Sequence, residues 1–446
     1  MTLADILIGP LYFGIVFFLA KMFEKRLAIG AEEKKFYIRA FMLKMFGVTA
    51  FAFIYEFYYG GGDTMGFYTW SQKFISYLLN DFDSAISFLF TESTEAFYKL
   101  KYNYGSSRYG YILKYGSRET TFIKMSSVIN ILSMNTYLSA SYMFAFISFI
   151  GNWLLYKVFI AYYPKIKKTL AFAVLFVPSV AFWGTGILKD TLTFAALCIM
   201  VYALHQAFIV GNKKVRNFAL IIFCAYIIMI LKAYIVIAFL PAGVIWVFNE
   251  KKSKIKSDAL RAVLTPFFIL MMFGTLAGLV LIVGESAGRF SISNLEQTTK
   301  DFQGWHQVAS ENGSGYVIHS TGTSIASLIT AFPESVNVTY FRPYLWESRS
   351  AVVLMGAVES LFLFLFFLKI FLYKGKIFLF MRAIFSKPVI QMCLIFALLF
   401  GFVVGFTSFN FGALARYKIP SMPFFAAFLV MVSYQIDVLN GKIKET

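Results

Sequence analysis

Long apolar segments recur along the whole chain and constrain its fold more than any other feature of the sequence. A helix needs about 20 mainly apolar residues to cross the hydrocarbon core of a bilayer. The segments that approach this length are 6–22, 37–58, 138–159, 170–183, 191–210, 218–231, 234–248, 262–283, 351–373, 389–406 and 422–438. The sequence therefore predicts an all-α polytopic membrane protein, with about eleven transmembrane helices in a single integral membrane domain over residues 1–446.

The charge distribution indicates how these helices are oriented. Of the 446 residues only 14% are charged, far fewer than in soluble domains, yet the formal net charge is +18. Most of the lysines and arginines stand in short loops between apolar segments, which is the pattern of cytoplasmic loops. The positive charge therefore indicates orientation and not nucleic-acid binding. It places the N-terminus outside and the C-terminus in the cytoplasm, and the residue usage is typical of low-GC bacterial coding.

Two long segments, 59–137 and 284–350, fall on the predicted outer side of the membrane. Within the first, residues 74–90 and 122–134 suit helices that lie flat on the membrane surface. Polar side chains collect in these segments, so we expect the functional site to lie there.

An acidic residue follows three glycines at the start of the first outer segment. Gly60, Gly61 and Gly62 allow a sharp turn and a close approach to a ligand, and Asp63 comes directly after them. A carboxylate just beyond the end of a span costs little, because water can still solvate it. Asp63 either caps the helix that begins at Thr64 or serves as a catalytic carboxylate, and the residues leave both possibilities open.

Several cations on the predicted outer side oppose the positive-inside bias and therefore require an explanation. They are Arg108, Lys114, Arg118, Lys189, Lys232, Arg342, Arg349, Arg416 and Lys418. An anionic substrate such as a lipid pyrophosphate explains them, because arginine grips phosphate oxygens with two hydrogen bonds and lysine acts as a point charge.

The same residues also have simpler explanations. Lys189 and Lys232 are placed to snorkel towards headgroups, and Asp190 precedes a span and is favoured as an N-cap. Tyr344 and Trp346 are typical of an interfacial aromatic belt. Deep inside spans, Lys44 and Glu359 are the ionisable residues that stand out, and a buried charge of this kind is expected to pair or to function.

Three short motifs carry a resemblance to a known family. The first is Gly61-Gly62-Asp63 with Tyr68, the second is the stretch 178–190, and the third is the stretch 415–420 with Pro423. Together they resemble C-type, polyprenyl-phosphate-dependent glycosyltransferases. They are also similar to O-antigen and exopolysaccharide polymerases and to membrane proteins of the Bacteroidetes type. A second acid beside Asp63, usual in the first motif, is absent.

The resemblance implies a membrane glycosyltransferase of the bacterial inner membrane that uses a polyprenyl-(pyro)phosphate-linked sugar at the periplasmic face. Asp63 would be the general base. The expected substrate-binding residues are Tyr68, Lys189, Asp190, Lys232, Arg342, Glu347, Arg349, Arg416 and Lys418. Whether a divalent metal takes part, with Asp63 as its ligand, stays open. A glycan polymerase is the nearest alternative, and a lipid-linked oligosaccharide flippase is a further one.

Overall fold

The computed structural model describes residues 2–27, 29–91, 93–105, 108–252, 315–319, 325–374, 377–408 and 410–443. Within these ranges the chain is almost entirely helical and forms no β-strand, although an isolated antiparallel bridge joins Gly315 to Asn410. The all-α class expected from the sequence is confirmed.

The described residues form seventeen α-helices. In chain order they are α1 Leu3–Arg26, α2 Ala31–Phe53, α3 Asp63–Asn80, α4 Phe82–Phe90, α5 Thr94–Asn103, α6 Arg118–Leu132, α7 Tyr137–Tyr162, α8 Lys167–Leu175, α9 Pro178–Trp183, α10 Lys189–Leu204, α11 Lys214–Lys252, α12 Ile325–Phe341, α13 Ala351–Leu368, α14 Ile377–Ile384, α15 Pro388–Ser408, α16 Phe411–Tyr417 and α17 Met422–Leu439. Three of them continue into π-helical turns, at Ile54–Tyr58, His205–Val210 and Lys369–Lys374.

Eight helices in the described ranges are long and apolar enough to cross a membrane. The difference from the expected eleven has three sources. The segments 218–231 and 234–248 both lie in α11, which is interrupted at Lys232, where φ is −151° and ψ is 69°. The segment 170–183 forms the two short helices α8 and α9, because Pro178 has no N–H to continue a helix. The segment 262–283 lies outside the described residues.

The chain divides into two compact units. The first comprises Met1–Trp153, Val180–Ala196 and Tyr226–Lys232, and the second comprises Leu154–Ser179, Leu197–Ala225 and Ala233–Thr446. Each unit takes part of its residues from distant places in the sequence, so that helices α7, α9, α10 and α11 contribute to both.

In the first unit, helices α3 to α6 form a group of their own in the segment 59–137. Helix α3 packs along α6, and Phe67 meets Phe122 with ring centroids 4.7 Å apart. The indole N–H of the buried Trp70 donates to the carbonyl of Tyr109 at 2.9 Å. The sequence predicts two helices lying flat on the membrane surface here, at 74–90 and 122–134. The structure has four helices in this segment.

In the second unit, α12 and α15 pack closely enough for side chains to reach the other helix's backbone. Thr339 donates to the carbonyl of Gly401 at 2.6 Å, and the Tyr340 hydroxyl donates to the carbonyl of Ala397 at 2.8 Å. A Cβ at Gly405 would lie 2.1 Å from the carbonyl oxygen of Ser335, so this approach requires glycine. Helix α17 packs against α15 and α8.

Candidate functional site

The three glycines before Asp63 form a turn that other residues could not adopt without strain. Gly60, Gly61 and Gly62 have φ values of +60°, +154° and +114°. Gly62 combines its φ with a ψ of −175°, a region that is essentially restricted to glycine. The amide of Gly61 donates to the carbonyl of Tyr55 at 3.0 Å, which ties the turn to the end of the preceding helix. The backbone therefore fixes where Asp63 begins the next helix.

Asp63 is the first residue of α3, and the N-cap position belongs to Gly62, so Asp63 is not the N-cap. Its side chain is half-buried. A carboxylate in the first turn of a helix is favoured by the positive end of the helix dipole. Burial raises the pKa of the nearby Tyr111 hydroxyl, and the negative charge of Asp63 raises it further. The Tyr111 hydroxyl is therefore close enough to Asp63 to be influenced by its charge.

A guanidinium group lies against the same turn. Arg108 donates from Nη2 to the carbonyl oxygen of Gly60, and a Cβ at Gly61 would lie 3.1 Å from that nitrogen. The Arg108 side chain is exposed and its guanidinium carbon is 5.4 Å from the centre of the Tyr109 ring. The turn that precedes Asp63 therefore presents a fixed positive group to the surface. Sequence reasoning noted Arg108 only as one of several cations in this segment, because nothing local relates it to Gly60.

Lys189 forms an ion pair with Glu119 of α6. The Lys189 ammonium also lies 5.9 Å from the ring centre of Phe67, one turn along α3 from Asp63. Burial raises the pKa of Glu119, but the hydrogen bond and charge of Lys189 outweigh it and hold this pKa below its usual range. Lys189 therefore pairs with a carboxylate and does not simply extend towards the headgroups. Glu119 was not singled out in the sequence, since 70 residues separate it from its partner.

Asp190 and Lys232 form a second ion pair, and this one is buried. Their side chains are 3% and 9% exposed. Asp190 is the second residue of α10 and not an N-cap, and Lys232 sits at the interruption of α11 and pairs instead of snorkelling. Removing one partner of such a pair would leave an uncompensated buried charge. The pair therefore links the N-terminal end of α10 to the interruption of α11.

Lys44, deep in the span of α2, holds the short helix α9 in place. Its ammonium donates to the carbonyls of Val180 and Gly184, at 2.8 and 3.3 Å, and to the hydroxyl of Ser148 at 3.0 Å. Carbonyls at the C-terminal end of a helix carry partial negative charge, which suits an ammonium group. One turn along α2, a Cβ at Gly47 would lie 2.0 Å from a backbone oxygen of α9. Helix α2 thus positions the stretch that leads to Lys189.

The hydroxyl of Tyr68, on the second turn of α3, is used to hold the helix. It donates to the carbonyl of Asn135 at 2.9 Å, and its ring centre is 5.3 Å from that of Tyr137. Burial raises the pKa of this hydroxyl, and the charges of Asp5 and Glu56 raise it further. Tyr68 is therefore neutral at physiological pH and positions α3.

In the second unit, Arg342 and Glu347 form a bidentate ion pair. The Arg342 Nε lies 3.1 Å from both carboxylate oxygens of Glu347, and Nη2 contacts Oε1 as well. The guanidinium carbon lies 5.5 to 5.7 Å from the ring centres of Tyr316, Tyr344 and Phe411. Tyr344 in turn stacks on the exposed Trp346 at 4.9 Å. Arg342 is thus held in an aromatic cage with its charge balanced.

A buried polar cluster adjoins this pair. The Arg342 carbonyl accepts from the Ser360 hydroxyl at 3.0 Å, and the Lys418 ammonium lies 3.4 Å from that hydroxyl. Burial lowers the pKa of Lys418, and the charge of Glu359 opposes that shift. Glu359 Oε2 accepts from the amide of Ser179 at 2.7 Å, whereas the buried Oε1 finds no hydrogen-bond partner among the described residues.

Arg349 is exposed, and Arg416 is half-buried with its guanidinium carbon 5.8 Å from the ring centre of Tyr417. Of the expected catalytic and substrate-binding residues, Asp63, Tyr68, Lys189, Asp190 and Lys232 belong to the first unit, and Arg342, Glu347, Arg349, Arg416 and Lys418 belong to the second. The common pocket expected for both groups stays a prediction.

Metal ligands do not cluster in the described parts of the chain, where no group of three or more His, Cys, Asp or Glu side chains could hold an ion. No family model, curated protein or solved structure matches the chain.

Proposed function

We propose that this chain is a membrane glycosyltransferase that uses a polyprenyl-(pyro)phosphate-linked sugar, with Asp63 as the general base. In this proposal it acts at the periplasmic face of a bacterial inner membrane, in the assembly of cell-surface glycans. The observation that carries the proposal is the turn at Gly60–Gly62, which holds one carboxylate at a helix N-terminus and whose Gly60 carbonyl accepts from the Arg108 guanidinium.

Glycosyl transfer from a lipid phosphate requires a base for the acceptor hydroxyl and positive charge near the leaving phosphate. Asp63 would take the proton from an acceptor hydroxyl as the hydroxyl oxygen bonds to the anomeric carbon of the donor. The bond from that carbon to the phosphate oxygen breaks, and its electron pair leaves with the phosphate. Arg108 and Lys189 are the candidates in the first unit for stabilising the charge that develops there.

The second unit supplies further candidates for the phosphate or the glycan. Arg349, Arg416 and Lys418 stay candidate phosphate contacts. Arg342 already has a carboxylate partner in Glu347, as Lys189 has in Glu119, so direct use of either cation on phosphate would require that partner to move. We therefore assign the general-base role to Asp63 and the first phosphate contact to the exposed Arg108.

The test uses purified protein in lipid nanodiscs with synthetic polyprenyl-phosphate hexoses as donors and a lipid extract of the source cells as acceptor. Release of polyprenyl phosphate measures the reaction. Loss of a general base lowers such rates by about 10² to 10⁴-fold. Asp63→Asn should show this loss while the protein remains folded.

Asp83→Asn is the matched control, because Asp83 is an exposed carboxylate in the first turn of the neighbouring helix α4. It should leave the rate unchanged. Equal rates for wild type and Asp63→Asn would contradict the proposal, as would movement of lipid-linked oligosaccharide across the bilayer without formation of a glycosidic bond.

A glycan polymerase is the second candidate, and the surface around Arg342 favours it. The exposed Trp346 stacked on Tyr344 offers a flat aromatic surface of the kind on which a longer glycan can rest. Product length separates the two functions. In a polymerase, Arg342→Ala should shorten the product more than Asp63→Asn does, whereas a single-transfer enzyme gives one product length in every variant.

A further inference from the structure

Two ion pairs at the start of α10 differ in burial, and the difference singles out one carboxylate. The side chains of Asp190 and Lys232 are 3% and 9% exposed. Those of Lys189 and its partner Glu119 are 18% and 39% exposed. An ion pair that water reaches is favoured by only up to about a factor of five, whereas separating a buried pair strands a charge. The pair of Lys189 with Glu119 is therefore the one that can open.

The backbone of Lys189 is anchored on α10. Its carbonyl accepts from the Thr193 hydroxyl at 2.9 Å. The next residue, Asp190, is tied to Lys232 of α11 by the buried ion pair. Opening of the more exposed pair would therefore leave the backbone of Lys189 in place, with its ammonium group available to another anion.

On the other side of the pair, the start of α6 is also held by its own hydrogen bonds. Ser117 is the N-cap of α6, and its hydroxyl oxygen accepts from the Thr120 amide at 3.2 Å. The Thr120 hydroxyl donates to the Lys114 carbonyl at 2.6 Å. Glu119 contributes only its partly exposed side chain to the contact with Lys189. A change of the Glu119 rotamer is therefore enough to separate the pair, without movement of either helix.

The pair lies beside the helix that begins at Asp63. The Lys189 ammonium is 5.9 Å from the ring centre of Phe67, one turn along α3. A Cβ at Gly66 would lie 2.1 Å from Cδ1 of Ile112, so the segment that leads to α6 packs directly on the first turn of α3. The Lys189 ammonium therefore lies next to the same helix that carries the candidate base.

We propose that Glu119 is a competing carboxylate, which occupies Lys189 until the phosphate group of a lipid displaces it. The proposal rests on the proposed function for the identity of that lipid, but phosphate binding is measurable without turnover. Carboxylate and phosphate oxygens accept the same charge-assisted hydrogen bond from an ammonium group, and a phosphate monoester carries more than one negative charge near neutral pH. The exchange would add Lys189 to the phosphate contact assigned to Arg108. A neutral ligand would not displace Glu119, so the pair selects for an anionic headgroup.

Isothermal titration of the whole chain in phosphatidylcholine nanodiscs tests this exchange, with farnesyl phosphate and inorganic phosphate as probes and empty nanodiscs as the blank. Glu119→Gln should tighten binding of farnesyl phosphate by about threefold to tenfold, because it removes both the ion pair and a like charge near the phosphate. The gain should vanish in Glu119→Gln/Lys189→Met, because it comes from the released ammonium group. This double variant should fold, since it removes both partners of the pair together.

Glu95→Gln is the matched control, because Glu95 is an exposed carboxylate of α5 that pairs with Lys99 at 3.1 Å. It should leave the affinity unchanged, which excludes a general effect of lost negative charge. Glu119→Gln should give the same gain in an Asp63→Asn background, so a failure of the catalytic proposal would be distinguishable from a failure of this one. The assignment would be overturned by equal binding in wild type and Glu119→Gln, by a gain that survives Lys189→Met, by a gain with inorganic phosphate alone, or by no binding of farnesyl phosphate.

Discussion

Alanine substitutions at Gly60, Gly61 and Gly62 should have graded effects that follow from the geometry of the turn. At Gly60, φ is +60° and a Cβ would meet nothing within 4 Å, so Gly60→Ala should cost about 1 kcal/mol of unfolding free energy for the left-handed backbone. At Gly62, a Cβ would lie 2.8 Å from the Tyr55 ring. The backbone there is in a glycine-only region, which alone costs about 1 to 3 kcal/mol.

The Gly61→Ala variant should fall between these two or match the larger. Its φ is +154°, and the added Cβ would lie 3.0 Å from the Tyr109 hydroxyl and 3.1 Å from the Arg108 guanidinium, both of which are ends of side chains that can move. The functional effect should follow the same order, because Asp63 is displaced with the turn. A shift of about 1 Å in a catalytic group can lower a rate by roughly 10²-fold.

Unfolding of the three variants in mixed micelles, followed by tryptophan fluorescence, measures the cost. Gly211→Ala is the matched control, because its φ is +79° and a Cβ there also meets nothing within 4 Å, but Gly211 belongs to the second unit. It should resemble Gly60→Ala in stability and keep full transfer activity. If Gly62→Ala proved as stable as wild type, or if Gly60→Ala were the most damaging of the three, the described turn would be wrong.

Three further predictions concern lysines that the structure places in buried surroundings. Lys44→Met should cost about 2 kcal/mol, because it removes a charged hydrogen bond to buried carbonyls, whereas the exposed Lys34→Met should cost less than about 1 kcal/mol in the same unfolding assay. Lys232→Met should cost about 3 to 5 kcal/mol by leaving the buried Asp190 carboxylate uncompensated, and Lys232→Met/Asp190→Leu should recover most of that loss. Lys418 has a lowered pKa in the folded state, so the unfolded state binds the proton more tightly, and stability should rise with pH from the folded pKa up to about 10.5. Lys418→Met should lack this rise when unfolding is followed across that pH range.

Each of these three predictions has an outcome that would contradict it. Equal costs for Lys44→Met and Lys34→Met would remove the positioning role of Lys44. A double variant as unstable as Lys232→Met alone would mean that the stranded Asp190 carboxylate is not the source of the cost. Parallel pH profiles for Lys418→Met and wild type would show that the Lys418 ammonium is not desolvated.

Hydropathy predicted most of the helices because a membrane span depends on local composition. The segments 6–22, 138–159 and 389–406 lie within helices α1, α7 and α15, and the interruption at Lys232 falls between two predicted spans. The break between α8 and α9 was not predicted, although Pro178 supplied the local signal. The apolar residues around it continue without a gap, and composition alone does not show where a helix stops.

The partners in the site were harder to predict because they are distant in the sequence. Arg342 and Glu347 are five residues apart and were selected together, whereas Lys189 meets Glu119 across 70 residues and Arg108 meets Gly60 across 48. The sequence predicts which charged residues lie on the same side of a membrane, but not which of them are in contact. Only the packing of α3 against α6 and the course of the segment between them decide which of those charges meet.

The most direct test of the account is a single-turnover experiment on the carboxylate at the triple-glycine turn. With a polyprenyl-phosphate hexose already bound to the purified chain, acceptor is added and the rate of polyprenyl phosphate release is followed for wild type, Asp63→Glu and Asp63→Asn. The account predicts that Asp63→Asn slows this step by at least about 10²-fold while donor binding is retained, and that Asp63→Glu keeps part of the rate. An unchanged single-turnover rate in Asp63→Asn would contradict the assignment of Asp63 as the base.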